Sequence, residues 1–285
     1  MTLWPCAETG INHEEQENLA LKSSKPLNSD SRPSNHDPDK RAAYSGSQGL
    51  PLQDKARYVL RHFTTIANKY DFMNTILSLG LHHLWKRLSV HALGLKPGDR
   101  VIDVCGGTGD LSILAARALG PRGRVTLYDI NRAMMEGGRP KVAKASLSNR
   151  INYVQGDAEL MSFPEGSFDA AMVGFGVRNL TNMDKGLHEM YRVLKPGGKM
   201  MCLEFSIPTS FWFKFLYDFY SFQLMPLAGK ILAGNSEAYL YLPESIRKFP
   251  APDDFAAMMR DTGFSRVTFR RLTNGIAVIY IGVKP

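Results

Sequence analysis

The chain has 285 residues, of which 44% are hydrophobic and 22% charged, so it can bury a real core and has the length of one large domain or two small ones. Its three cysteines, Cys6, Cys105 and Cys202, form no CxxC pair and no metal-ligand spacing, which excludes a disulfide scaffold and points to a reducing compartment. The net charge of +8 is uneven: residues 1–50 hold seven acids and five bases, so the basic part is the part expected to fold, and a basic surface suits nucleic acid, anionic lipid headgroups or simple solubility.

From Met1 to about Gly49 the chain is rich in Ser, Asn, Asp, Pro and Lys, and residues 1–50 are expected to be a disordered extension. Glu8, Glu14, Glu15 and Glu17 precede the first Arg, unlike an Arg-rich, acid-poor transit peptide, and no uncharged apolar run reaches 18 residues. The expected location is therefore cytoplasmic.

The remainder, 51–285, is expected to be one folded domain. Helices should occupy 54–94, the first with an apolar face from Tyr58, Phe63 and Ile66, the second from Met73 to Leu93. A core over 98–206 follows. Strands are expected at Arg100–Val104, Val125–Tyr128, Ile151–Gln155, Ala170–Gly174 and Lys199–Glu204, alternating with helices, of which one runs from the glycine turn to about Leu119. Another covers Met183–Leu194, with Met183, Leu187, Met190, Tyr191 and Leu194 on one face and Pro196-Gly197-Gly198 as its stop. Residues 207–250 read as an insertion over the substrate. Its segment 211–222 holds eight of the chain's 29 aromatics, as would a lid against a hydrophobic tail, a membrane-interface segment or an aromatic core helix. Residues 251–285 should supply a helix and two strands, Arg266–Arg271 and Ala277–Val283, paired antiparallel at one edge of the sheet.

The sharpest chemical signal is Val101-Ile102-Asp103-Val104-Cys105-Gly106-Gly107-Thr108-Gly109-Asp110, an apolar strand entering a glycine turn that opens a helix. Glycines admit a ligand close to the backbone, and a helix N-terminus favours an anionic group. The third glycine of a dinucleotide fingerprint is missing, since Asp110, Leu111 and Ser112 follow Gly109. Asp129 ends the next strand, where an acid can accept both ribose hydroxyls of NAD or of S-adenosylmethionine. Gly156-Asp157-Ala158-Glu159 after the third strand favours the latter, because it resembles the class I methyltransferases, in which an acid there holds the adenine amino group.

Two longer segments are more specific. Tyr70-Asp71-Phe72-Met73-Asn74-Thr75-Ile76-Leu77-Ser78-Leu79-Gly80-Leu81-His82-His83-Leu84-Trp85 and Arg192-Val193-Leu194-Lys195-Pro196-Gly197-Gly198-Lys199-Met200-Met201-Cys202-Leu203-Glu204-Phe205-Ser206 resemble the two signatures of the ubiquinone/menaquinone biosynthesis C-methyltransferases. The likeness runs from about Tyr58 to Val283 and takes in Phe175-Gly176-Val177-Arg178-Asn179. It departs at Gly174, where many relatives carry a cofactor-lining Ser.

The resemblance implies a class I S-adenosylmethionine-dependent fold: α/β, Rossmann-like, with a mostly parallel seven-stranded sheet and an antiparallel edge strand. It implies transfer of a methyl group to a ring carbon of a prenylated quinol, with demethylmenaquinol preferred over the ubiquinol precursor. Gly106, Gly107, Thr108 and Gly109 would line the methionine end, Asp129 would bind ribose, and Asp157 with Ala158 would bind adenine. Arg178 would stabilise a developing phenolate or orient a water that takes its proton, with Asn179 and Tyr70 positioning the ring. The plainer alternative for Arg178 is a structural ion pair. No metal is expected, because adjacent His82 and His83 should face different sides of a helix. No dense basic tract or base-methylating tetrapeptide suggests nucleic acid. Peripheral contact with the inner face of the cytoplasmic membrane, a homodimer or a quinone-biosynthesis assembly all suit such a substrate. A methyltransferase for another acceptor such as a small phenol, or a non-catalytic scaffold, is the competing reading.

Overall fold

The computed structural model describes residues 52–210, 212 and 237–285. The expected extension at 1–50 and nearly all of the aromatic segment 211–222 lie outside the described residues.

The N-terminal helices are α1 (Leu52–Ile66), α2 (Tyr70–Leu77) and α3 (Leu81–Leu93), with a 3₁₀ turn at Ala67–Lys69 between the first two. The core alternates β1 (Arg100–Val104), α4 (Asp110–Ala118), β2 (Arg124–Asp129), α5 (Arg132–Lys144), β3 (Ile151–Gln155), β4 (Phe168–Gly174), α6 (Met183–Val193) and β5 (Leu194–Phe205). Beyond β5 come α7 (Glu237–Lys248), which falls within the expected insertion 207–250, then α8 (Pro252–Asp261), β6 (Ser265–Leu272) and β7 (Ala277–Val283). All five expected core strands and the two closing strands are present; where they differ, β2, β4 and β6 are longer by two residues and β5 by six.

The expected continuous helix from Met73 to Leu93 is instead two helices, α2 and α3. Leu79 and Gly80 both have positive φ, at 50° and 77°, and the Gly80 N–H donates to the Thr75 carbonyl at 2.7 Å, so the first helix closes on a left-handed stop. Pro196-Gly197-Gly198 also behaves differently from expectation. Helix α6 stops at Val193 and β5 begins at once, with the Pro-Gly-Gly as an irregularity in its pairing with β4. It is accommodated because the Gly197 N–H donates to the Lys284 carbonyl at 2.8 Å and the Lys284 N–H to Gly198 at 2.9 Å.

The seven strands form one sheet in the order β3-β2-β1-β4-β5-β7-β6. The ladders from β3 to β5 are parallel, and β7 runs antiparallel to both β5 and β6, closing the sheet as the expected antiparallel pair. Successive strand residues feed opposite cores, which is why these strands read as continuous apolar runs. Ile102, Val104, Ala171, Val173, Met200 and Cys202 pack on the face covered by Leu187 and Met190 of α6 and Phe255 of α8. Val101, Ala170, Met172, Met201 and Leu203 pack on the other, under Trp85 and Leu93 of α3 and Leu111 of α4. Asn131 caps α5 by accepting from the Met134 N–H, and its amide donates to Leu60 and Thr64, docking α1 on the core.

Candidate active site

Strand order reverses between β1 and β4, and the crevice beyond the carboxyl ends of those two strands is where open α/β sheets bind ligands. The residues that leave the two strands there, Cys105 and Phe175, both have positive φ (54° and 59°), a conformation that costs a non-glycine residue about 1–3 kcal/mol and concentrates at functional sites. The two loops are pressed together: a Cβ on Gly176 would lie 2.5 Å from that of Cys105. Burial pushes the Cys105 and Cys202 thiols well above their ordinary range, which disfavours the thiolate at both.

The glycine loop forms the floor. Gly106 has room for no side chain, since a Cβ would come within 2.8 Å of Leu127 Cγ and 3.0 Å of the Asp103 carbonyl, and Gly109 turns the chain into α4 with φ at 81°. Asp129 is buried and receives the Gly107 N–H at 2.8 Å on one carboxylate oxygen and the Asn131 N–H at 2.7 Å on the other. Each oxygen keeps a lone pair for a further donor, which is what a pair of ribose hydroxyls requires. Burial raises the Asp129 pKa, against those two backbone donors. Asp103 beneath the loop is also buried, accepts from Ser112 Oγ at 2.6 Å and is pushed up to about 7 by burial. Asp157 is exposed, forms a turn by accepting the Glu159 N–H at 2.9 Å, and is tied to β2 through Tyr128, whose hydroxyl donates to the Asp157 carbonyl. Ala158 is buried beside it. At Gly174, the space a side chain would need is filled by Leu111, whose Cδ1 would sit 2.6 Å from a Cβ.

Thr108 faces a network absent from the sequence reading. Its hydroxyl donates to Asp71 of α2 at 2.7 Å, and Lys141 of α5 reaches Asp71 at 2.6 Å, Thr108 at 3.1 Å and Asp110. Lys86 of α3 donates to the second Asp110 oxygen at 2.7 Å. Burial alone would raise Asp110; the two ammoniums hold its carboxyl far below the usual range instead. The N-terminal helices are thereby fastened to the glycine loop.

His82 and His83 do not face different sides. Their ring centroids are 3.9 Å apart, and both imidazoles approach Thr75 Oγ1, because the stop at Leu79 and Gly80 folds the start of α3 back onto α2. With Asp110 they form a three-residue cluster whose ligand atoms lie within 4.8 Å of one another. Lys86 and Lys141 already neutralise Asp110 there, so the carboxylate is a poor partner for a cation.

Arg178 follows β4 in a 3₁₀ turn (Val177–Asn179) and is buried. It pairs with Glu204 of β5 at 2.5 Å, donates to the Phe175 carbonyl at 2.6 Å and lies over the Phe205 ring. Asn179 donates to the same carbonyl at 3.3 Å, so the structure brings Arg178 and Asn179 onto the strained Phe175. Tyr70 opens α2 next to Asp71 and packs edge-on against Phe63. Glu204, fully buried, was missed; an acid inside the apolar run Met200–Phe205 was its visible signal. Lys141 carried none.

The ubiE/COQ5 methyltransferase family model matches residues 52–284. The chain is 46% identical over 240 residues, 84% of its length and 94% of the relative's, to the ubiquinone/menaquinone biosynthesis C-methyltransferase UbiE of Pseudomonas putida (strain W619). It is 45% identical, with the same coverage, to the protein of that name from Pseudomonas aeruginosa (strain LESB58). Among solved structures, a SAM-dependent methyltransferase from Aquifex aeolicus is similar with a TM-score of 0.54 at 18% identity, covering 75% of this chain and 98% of that one. A SAM-dependent methyltransferase from Thermotoga maritima gives a TM-score of 0.55 at 17% identity, covering 80% of this chain and all of that one. At these identities the two structures carry the fold.

Proposed function

Because the chain belongs to the ubiE/COQ5 methyltransferase family, we propose that it transfers a methyl group from S-adenosylmethionine to a ring carbon of a prenylated quinol in menaquinone biosynthesis, ubiquinone biosynthesis or both. The observation that carries this reading is the glycine loop clasped by Asp129 at the switch point of the sheet, beside the buried Arg178–Glu204 pair.

S-adenosylmethionine supplies a methyl group on a sulfonium. Gly106, Gly107, Thr108 and Gly109 would hold its methionine end, Asp129 the ribose, and Asp157 with Ala158 the adenine. A ring carbon of the quinol becomes nucleophilic when a ring hydroxyl loses its proton, which a phenol-type pKa of about 10 makes costly at neutral pH. The buried guanidinium of Arg178 lowers that cost, by stabilising the phenolate or by orienting the water that takes the proton. Glu204 acts as a positioning residue, fixing Arg178 against the Phe175 carbonyl. Asn179 and Tyr70 align the ring. Transfer between a sulfonium and a phenolate removes both charges, so a site closed to water favours the transition state.

We take demethylmenaquinol as the preferred acceptor and read the protein as peripheral at the inner face of the membrane that dissolves its substrate. Among the described residues, no helix is long and apolar enough to cross a membrane. The test is methyl transfer from labelled S-adenosylmethionine to short-tailed demethylmenaquinol and, in parallel, to the demethylated ubiquinol precursor. Product from the first alone or in excess supports the preference. Cofactor binding without product from either directs the search to another acceptor, and no cofactor binding leaves a scaffold. Arg178→Leu should abolish turnover while leaving cofactor affinity within about twofold; an active Arg178→Leu beside an inactive Asp129→Ala would falsify the role given to Arg178.

A further inference from the structure

On the outer surface over α4 the three helices α3, α4 and α5 enclose a cleft of about 360 Å³. Lys86 and Arg87 of α3, Arg117 of α4, and Lys141 and Lys144 of α5 line it, and among the described residues Asp110 is the one carboxylate on its walls. Asp110 is already matched to Lys86 and Lys141. Arg87, Arg117 and Lys144 are exposed, and none has an ion-pair partner among the described residues.

A convex surface disperses such cations into solvent. Here three segments far apart in the chain converge their positive charges on one concavity floored partly by the apolar Ile113, where mutual repulsion is screened less than in open water. Among the described residues, three of its five cations have no carboxylate partner. Two guanidiniums offer planar forks that match phosphate oxygens in pairs, and the ammoniums add point charges around them. The volume is at the lower end of small-ligand pockets, enough for a phosphate with a short organic substituent.

We propose that this cleft binds a phosphate group, carried by a lipid headgroup or by a soluble phosphate ester. The cleft shares Lys86, Asp110 and Lys141 with the network beside the glycine loop, but Arg87, Arg117 and Lys144 have no part in the methyl transfer, and the test contains no quinol.

The test uses the full chain with four probes: inorganic phosphate, glycerol 1-phosphate, phosphatidylcholine vesicles, and phosphatidylcholine vesicles containing phosphatidylglycerol. Calorimetry reads the soluble probes and co-sedimentation the vesicles. Arg117→Glu with Lys144→Glu should weaken binding at least tenfold. A control pair of equal charge, Arg260→Glu with Arg270→Glu on α8 and β6, should change it less than twofold. Binding of the soluble probes assigns a free ester; binding of the phosphatidylglycerol vesicles alone assigns the headgroup. No binding of any phosphate probe by the wild-type chain, or equal loss from both pairs, overturns the site. Unchanged S-adenosylmethionine affinity certifies that each variant is folded, and the neutral pair Arg117→Gln with Lys144→Gln serves if charge reversal unfolds the chain.

Discussion

Asp71 and Lys141 are separated by 70 positions, and Asp71 and Thr108 by 37, yet the three side chains meet at the glycine loop. Sequence spacing cannot show such a contact, whereas Gly106–Gly109 and Asp129 were legible because a strand, a glycine turn and a strand-end acid fall close together in the chain. Asp71→Asn removes a carboxylate that is partly exposed, so the expected loss is about 1 kcal/mol, roughly a fivefold weaker S-adenosylmethionine affinity by calorimetry. Unchanged affinity would detach Asp71 from the site. Two buried groups give the chain a pH profile. His82 is held at about 4 by burial and by Lys86, against about 6.5 when unfolded, so its contribution is full above about pH 6.5 and is lost as the pH falls toward 4. Asp103, pushed up to about 7 by burial, has the opposite sign: its contribution is present below about pH 4 and is lost as the pH rises to 7. Urea midpoints between pH 4 and 7 should steepen downward with rising pH in His82→Gln and flatten or rise in Asp103→Asn. A parallel offset in either variant would contradict the assignment.

At the scale of elements, the central strands were readable because both faces of the sheet are covered there, so that short apolar runs such as Val101-Ile102 and Ala170–Val173 are buried on both sides. Helix α6 was readable for the reverse reason, with one buried face repeating at helical spacing. What the pattern hid was the break between α2 and α3, since the apolar spacing continues across it while the backbone reverses. That break has a measurable signature. Gly80→Ala forces an alanine to φ near 77° and should cost about 1–2 kcal/mol in chemical denaturation. Leu79→Asn replaces an exposed leucine, itself at φ 50°, with a residue that tolerates the left-handed region, and should be neutral or stabilising by about 0.5 kcal/mol. Equal effects from the two would mean that the stop is set by something other than backbone conformation.

The described residues form a sheet with helices on both faces and a crevice at its reversal point, a layout that the βαβ alternation made legible from the glycine turn onward. Its stability should respond to cofactor as one unit. S-adenosylmethionine at 100 times its Kd should add about 2.7 kcal/mol, raising the melting temperature by about 5–10 °C. Asp129→Ala should abolish most of that rise, and a full rise in the variant would remove Asp129 from the cofactor site. The strand order has a further consequence during synthesis. Strand β5, whose Met200, Met201, Cys202 and Leu203 are fully buried, takes its outer neighbour from Ala277–Val283, roughly seventy residues later. At about 5–20 residues per second the ribosome leaves that greasy edge unpartnered for roughly 4–14 s. Throughout that interval the nascent chain displays an open template for β-pairing with its neighbours on a polysome, the moment at which a chaperone has most to protect.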